Sequence, residues 1–161
     1  MRNTTLCYIQ NDRGQTLLLH RVKKENDLNK DKWIGVGGGF EDKESPEDCL
    51  LREVWEETGL TLTRYRYRGI VTFVSDRWET EYMHLFTADG YEGKLKECDE
   101  GVLEWLPRQK LRALPHWEGD DIFLDLIESD VPFFSLKLRY EGETLAEAVL
   151  DGKHIKGGPV A

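Results

Sequence analysis

The chain has 161 residues, 39% hydrophobic and 33% charged, a balance that suits one soluble globular domain with a sizeable core and excludes two comfortable ones. Its formal net charge of −9 excludes a general nucleic-acid-binding surface, which needs a basic face, and means that any polyanion handled here requires a cation as intermediary. The three cysteines, Cys7, Cys49 and Cys98, are an odd number with no CxxC spacing, so neither a disulfide framework nor a zinc site is indicated, which fits a reducing cytoplasm. The N-terminal stretch MRNTTLCYIQ lacks the apolar core of a signal peptide, and no apolar run reaches the length of a membrane span. The expected protein is therefore soluble, unexported and cytoplasmic.

In chain order, TTLCYIQ and TLLLHRV read as two strands joined by the turn NDRG, an antiparallel hairpin. A polar, basic loop, KKENDLNKDK, precedes a short strand, KWIGV, that runs into Gly37, Gly38 and Gly39. The clearest helix follows. Ser45 is a good N-cap, Pro46 suits the first helical position, Asp48 completes a capping-box-like start, and Gly59 sits where a C-terminal glycine belongs. YRYRGIVTFVS and TEYMHLFTA read as strands, and GVLEWL as another, stopped by Pro107. GDDIFLDLIES reads as a second helix whose apolar side is Ile122, Leu124, Leu126 and Ile127. A hairpin, FFSLKLRYEG with TLAEAVL, closes a single domain over residues 1–151, and residues 152–161 are expected to form a loose tail. The pattern predicts an α/β (α+β) sandwich, a mixed β-sheet between helices.

The first helix carries the chemistry. Glu53 and Glu56 are three residues apart and Glu53 and Glu57 four apart, so their side chains emerge as neighbours on one face, while Leu51, Val54 and Thr58 fall on another. Like charges at these spacings cost a few tenths of a kcal/mol per pair on an exposed helix and more in a cleft. A divalent cation reverses that sign. Carboxylate oxygens are the ligands Mg²⁺ and Mn²⁺ prefer, and Mg²⁺ commonly shares its shell with substrate phosphates.

Residues 38–60 fit the pattern G-x5-E-x7-R-E-U-x-E-E-x-G-U, with U aliphatic, at Gly38, Glu44, Arg52, Glu53, Val54, Glu56, Glu57, Gly59 and Leu60. So many fixed positions make a highly specific signal, and the stretch resembles the signature of the Nudix hydrolase family. The resemblance implies a Nudix fold and hydrolysis of a nucleoside diphosphate linked to another group. It also implies that Glu53, Glu56 and Glu57 hold Mg²⁺, that Arg52 orients the acidic cluster, that Gly38 and Gly39 shape the loop, and that Glu44 serves loop structure or the outer metal shell. The catalytic base is left open between Glu53, the first choice, and Glu100, the second. Glu100 sits in KECDEGVLEW, where related enzymes contribute a further metal-site acid, a role its neighbours Glu97 and Asp99 can also fill.

Beyond the signature, the chain resembles the branch of oxidised-purine nucleoside triphosphate diphosphatases, which hydrolyse 8-oxo-dGTP to a nucleoside monophosphate and pyrophosphate in nucleotide-pool sanitation and DNA repair. HWEGDDIF carries that likeness. It implies a base pocket in which Trp117 is a stacking platform and Asp120 and Asp121 read the base edge, with Phe73 as another wall and Lys23 meeting phosphates or sugar. The structural alternatives are core packing for Trp117, helix N-terminal acids for the aspartates, and solvated loop charges for Glu100 and Lys23. Two departures stand out: Ile34 follows Trp33 where branch members can carry a base-contacting asparagine, and Gly119 is an extra residue between Trp117 and the aspartate pair. The competing substrates are an unmodified nucleotide, a pterin triphosphate or a nucleotide sugar such as ADP-ribose; the competing class is a nucleotide sensor that no longer hydrolyses. The expected partner is a small nucleotide, with no nucleic-acid polymer or membrane, and the oligomeric state is left open.

Overall fold

The computed structural model describes residues 1–158. Its strands are β1 (Arg2–Gln10), β2 (Gln15–His20), β3 (Trp33–Ile34), β4 (Thr61–Ser75), β5 (Glu81–Glu92), β6 (Val102–Pro107), β7 (Phe134–Glu141), β8 (Thr144–Leu150) and β9 (Lys153–Lys156), with helices α1 (Pro46–Thr58) and α2 (Asp120–Glu128). They form a mixed sheet in the order β3-β2-β1-β5-β4-β7-β8-β9, with β6 paired to β2. The β1–β5 and β4–β7 pairs are parallel. The remaining pairs are antiparallel.

Strand alternation sends successive side chains to opposite faces and so builds two cores. On one face Leu6, Tyr8, Leu18 and Leu85 join Phe123, Leu124 and Ile127 of α2. On the other, Cys7, Ile9, Leu17, Leu19 and Phe86 join Leu50 and Val54 of α1. The expected mixed sheet between helices is the observed architecture.

Helix α1 begins as its sequence dictates. The Asp48 N–H donates to Ser45 Oγ and the Ser45 N–H to Asp48 Oδ2, both at 3.0 Å, a reciprocal cap that satisfies two otherwise orphaned donors. Gly59 closes the helix at φ 80°. In α2, Phe123 is fully buried while Ile122 and Leu126 are only partly so. The expected apolar side therefore needs Phe123 at its centre.

Several expectations shift. The β1–β2 hairpin pairs only Ile9 with Leu17 and Gln10 with Thr16, because the same edge of β1 is taken from Cys7 back to Thr4 by the glycine loop, while the opposite edge pairs with β5. The strand expected at KWIGV stops at Ile34, and the next residues run along β1: the Cys7 and Thr5 N–H groups donate to the Val36 and Gly38 carbonyls at 2.6 and 2.9 Å. After Pro107 the chain makes a 3-10 helix, Arg108–Ala113, that buries Leu111 and had no periodicity long enough to read. In the stretch expected to be a loose tail, Lys153–Lys156 pair with β8 as β9; its last three residues, 159–161, lie outside the described residues.

The close approach of the glycine loop to β1 generates a test. A Cβ on Gly37 would overlap the Thr5 carbonyl oxygen, whereas one on Gly39 would meet only the flexible end of Arg2, at 3.3 Å. Gly37→Ala is expected to destabilise the fold by about 1–3 kcal/mol and Gly39→Ala by much less, as read from urea unfolding. Equal stability of the two variants would contradict this seating of the loop.

Candidate active site

Between the glycine loop, α1, the start of α2 and the 21–32 loop lies a cleft of about 230 Å³. Gly38, Gly39, Glu53, Glu57 and Glu100 line it, as do Phe73, Trp117 and Asp120. Two of the signature acids, Glu53 and Glu57, thus share one cavity with Glu100 and with Phe73, Trp117 and Asp120 of the expected base pocket, although they come from positions far apart in the chain.

Arg52 organises the acidic end. Its Nε and Nη2 donate to Glu44 Oε2 and Oε1 at 2.6 and 2.8 Å, Nη2 also donates to the Gly39 carbonyl at 2.9 Å, and Nη1 reaches Glu53 Oε1 at 2.8 Å and Glu56 Oε2 at 3.2 Å. The Arg52 guanidinium in turn holds the Glu44 carboxyl well below its ordinary range. Glu53 lies so close to the loop that a Cβ on Gly38 would overlap its carboxylate. Burial raises the Glu53 pKa, against the opposing pull of Arg52.

Glu57 is buried, and one oxygen accepts the Gly37 N–H at 3.1 Å. Its pKa is raised by burial first and then by the negative charge of Glu100, with Glu53 adding to the effect. Glu100 moves the other way. Lys24 donates to its Oε1 at 2.9 Å and Arg21 to its Oε2 at 2.8 Å, and these cations outweigh its burial and hold its pKa down.

Not every expected residue reaches the cleft. Glu56 is not among its lining residues, and its side chain is 49% exposed beside Arg52. At 100° per residue the four-apart pair Glu53 and Glu57 face one way, while Glu56 lies nearer its own four-apart partner, Arg52. Lys23 donates to the Cys98 carbonyl at 2.7 Å and pairs with Glu97; it too lies outside the cavity lining. The aspartates separate: Asp120 is 5% exposed in the cleft, whereas Asp121 points away to His116 Nε2 at 2.9 Å. Gly59 remains a helix cap. Trp117 packs edge-on with Phe73 at a centroid distance of 5.2 Å, and Lys32 Nζ stands 4.4 Å from the centre of its ring. One face of the expected stacking platform is thus already covered by a cation.

The structure adds Arg21, Asp27 and Asn29 to the lining. They come from the stretch that reads as an unstructured polar loop and its entry, where no periodicity marks them.

The donor set fits a hard divalent cation in kind: several carboxylates, mutually repelling and partly desolvated, with oxygen as the only ligand atom. As the side chains stand, no three His, Cys, Asp or Glu side chains among the described residues are gathered as a metal-holding group. Arg52 draws Glu53 and Glu56 toward itself instead.

A NUDIX domain profile matches residues 1–127. The chain belongs to the Nudix family. It is similar to the uncharacterized Nudix hydrolase YvcI of Bacillus subtilis, at 31% identity over 97% of this chain and 98% of that one. It is also similar to the oxidized purine nucleoside triphosphate hydrolase of Danio rerio, at 31% identity over 80% and 83%. Among solved structures, the MutT protein of Bacillus halodurans superposes with a TM-score of 0.82 at 26% identity, covering 95% of this chain and 99% of that one. No helix among the described residues of this Nudix hydrolase is long and apolar enough to cross a membrane.

Asp120 gives the Nudix cleft a measurable pH signature. Burial raises its pKa well above the ordinary 3.8, and Asp121 adds to this. A carboxyl that holds its proton more tightly when folded contributes stability below its unfolded pKa and loses it as the pH rises. The melting temperature of Asp120→Asn should therefore exceed that of the parent by a margin that widens as the pH is raised above 3.8. A constant or shrinking margin would contradict the assignment.

Proposed function

We propose that this Nudix hydrolase cleaves a nucleoside triphosphate to the monophosphate and pyrophosphate, with oxidised purine nucleotides such as 8-oxo-dGTP as its preferred class and Mg²⁺ as its cofactor, Mn²⁺ serving in its place. The observation that carries this reading is the joining, in one cleft, of Glu53, Glu57 and Glu100 with the Trp117, Phe73 and Asp120 pocket. The similarity to an oxidized purine nucleoside triphosphate hydrolase over most of both chains supports the substrate class.

In this account Glu53 and Glu57 hold the divalent ion, with Glu56 and Glu100 flanking them. When bound there, such an ion supplies positive charge to phosphate oxygens and lowers the pKa of a water. The chain's own groups do the rest. Arg52 fixes the Glu53 carboxylate, and the glycine loop brings backbone rather than side chains against that carboxylate, leaving room for a polyphosphate. Glu53 is the first candidate for the base by position, since its carboxylate lies against the glycine loop, and if it accepts the proton the ion rests on Glu57 and the flanking acids. Glu100, paired with Arg21 and Lys24, lines the same cleft and is the second candidate. Asp120 meets the base, and the apolar walls exclude water from it.

Steady-state hydrolysis of 8-oxo-dGTP and dGTP with Mg²⁺ is the test. The wild type is expected to prefer the oxidised base, Asp120→Asn to erode that preference roughly tenfold through the lost hydrogen bond, and Glu53→Gln to lower kcat by about a hundredfold or more for both nucleotides. Turnover of neither nucleotide by the wild type would overturn the proposal and favour another Nudix substrate.

A further inference from the structure

The loop from Arg21 to Lys32 is ordered around one side chain. Asp27 Oδ1 accepts the Asn29 N–H at 3.0 Å, and Oδ2 accepts Arg21 Nε at 2.8 Å. The Asp27 carbonyl receives the Lys30 N–H at 3.0 Å and the Asn29 carbonyl receives the Lys32 N–H at 2.8 Å. Asn29 therefore has its backbone fixed on both sides, as a recognition residue requires.

The Asn29 side chain meets the indole edge of Trp117, whose Nε1–H donates to Asn29 Oδ1 at 2.8 Å. An indole N–H can only donate, so it sets the orientation of the amide: oxygen toward Trp117, NH2 away from it. Among the described residues nothing accepts from that NH2 group, and Asn29 lines the cleft. Asp120 lies one turn beyond Trp117, its N–H donating to the Trp117 carbonyl at 3.0 Å. It also lines the cleft, buried, with no hydrogen-bond partner for its carboxyl among the described residues. Ile34 shares the lining and has no polar side-chain atom.

The cleft thus offers an unengaged donor, on Asn29, and an unengaged acceptor, on Asp120, each tied to Trp117 by a hydrogen bond. We propose that Asn29 determines base specificity: its free amide N–H donates to an exocyclic oxygen while Asp120 accepts from the adjoining ring N–H, selecting purines with a lactam edge. That edge is O6 with N1–H in guanine, or O8 with N7–H in an 8-oxopurine. The Watson–Crick edge of adenine presents the reverse order, an amino donor beside an unprotonated ring nitrogen, and sets donor against donor at Asn29. Trp117 acts here as a positioning residue, through its N–H. The inference rests on the reading of this cleft as a nucleotide site.

Asn29→Asp isolates the feature. It keeps an oxygen for Trp117 Nε1, preserves the shape, and replaces the free donor with an acceptor. The experiment is calorimetric binding of dGMP, 8-oxo-dAMP and dAMP to the full chain with Mg²⁺, for wild type, Asn29→Asp and Trp117→Phe, with melting temperatures as the control for folding. The wild type is expected to bind at least one lactam nucleotide roughly tenfold or more tightly than dAMP, about the value of one satisfied hydrogen bond beside an unsatisfied one. Asn29→Asp should remove that preference without lowering the dAMP affinity. Trp117→Phe should weaken the preference in the same direction, because the amide is free to flip. The ratio of dGMP to 8-oxo-dAMP identifies which lactam edge is read. A wild type without preference, or an Asn29→Asp variant whose preference stays within twofold of the parent's, overturns the inference. Because monophosphates are products rather than substrates, the preference is read independently of hydrolysis. Loss of turnover with an Asn29-dependent preference intact would refute only the proposed reaction, and turnover without that preference would refute only the base readout.

Discussion

The acidic cleft depends on how the five N–H donors of Arg52 are placed. They reach both oxygens of Glu44, the Gly39 carbonyl, Glu53 and Glu56, so a single planar cation ties the glycine loop, its following turn and the helix into one unit. A lysine presents a point charge on a flexible stem and cannot make that set of contacts. Without such a brace, carboxylates at helical spacing would turn outward to water. With it, Glu53 is kept against the loop and Glu57 is left to the interior.

That arrangement is stable only under tension. Glu57 is buried, with Glu53 and Glu100 both raising the cost of its charge, while Glu100 is stabilised from the far side by Arg21 and Lys24. The cleft therefore has basic side chains at its edges and mutually repelling acids at its centre. Such a centre favours protons or a multivalent cation, and this preference is the physical link between the net acidity of the chain and its proposed traffic in polyphosphates.

The parts legible in the sequence are those fixed locally. Helix α1 follows from Ser45, Pro46, Asp48 and Gly59 because capping is a matter of a few neighbouring residues, and the Nudix signature lies within it and the adjoining loop. What sequence spacing cannot give is which of several nearby acids turns inward. Glu56 and Glu57 are adjacent, as are Asp120 and Asp121, yet one of each pair lines the cleft and the other meets a partner outside it, Arg52 or His116. Arg21 lines the cleft in place of the expected Lys23 for a similar reason: the register of β2 against β6 and the hydrogen bonds of the following loop decide which cation faces inward. Asn29 was hidden because its significance comes from Trp117, 88 positions away in the chain.

The central claim is that the inward-facing acids, rather than the acidic surface at large, bind the divalent ion. It is tested most directly by titrating Mn²⁺ into the protein without nucleotide and following free Mn²⁺ by electron paramagnetic resonance. The wild type should show a site whose affinity falls about tenfold or more in Glu57→Gln, as expected when one carboxylate ligand is removed, while Glu97→Gln, at an exposed acid outside the cleft, leaves it unchanged. Equal weakening by both variants, or an affinity indifferent to Glu57, would contradict the account.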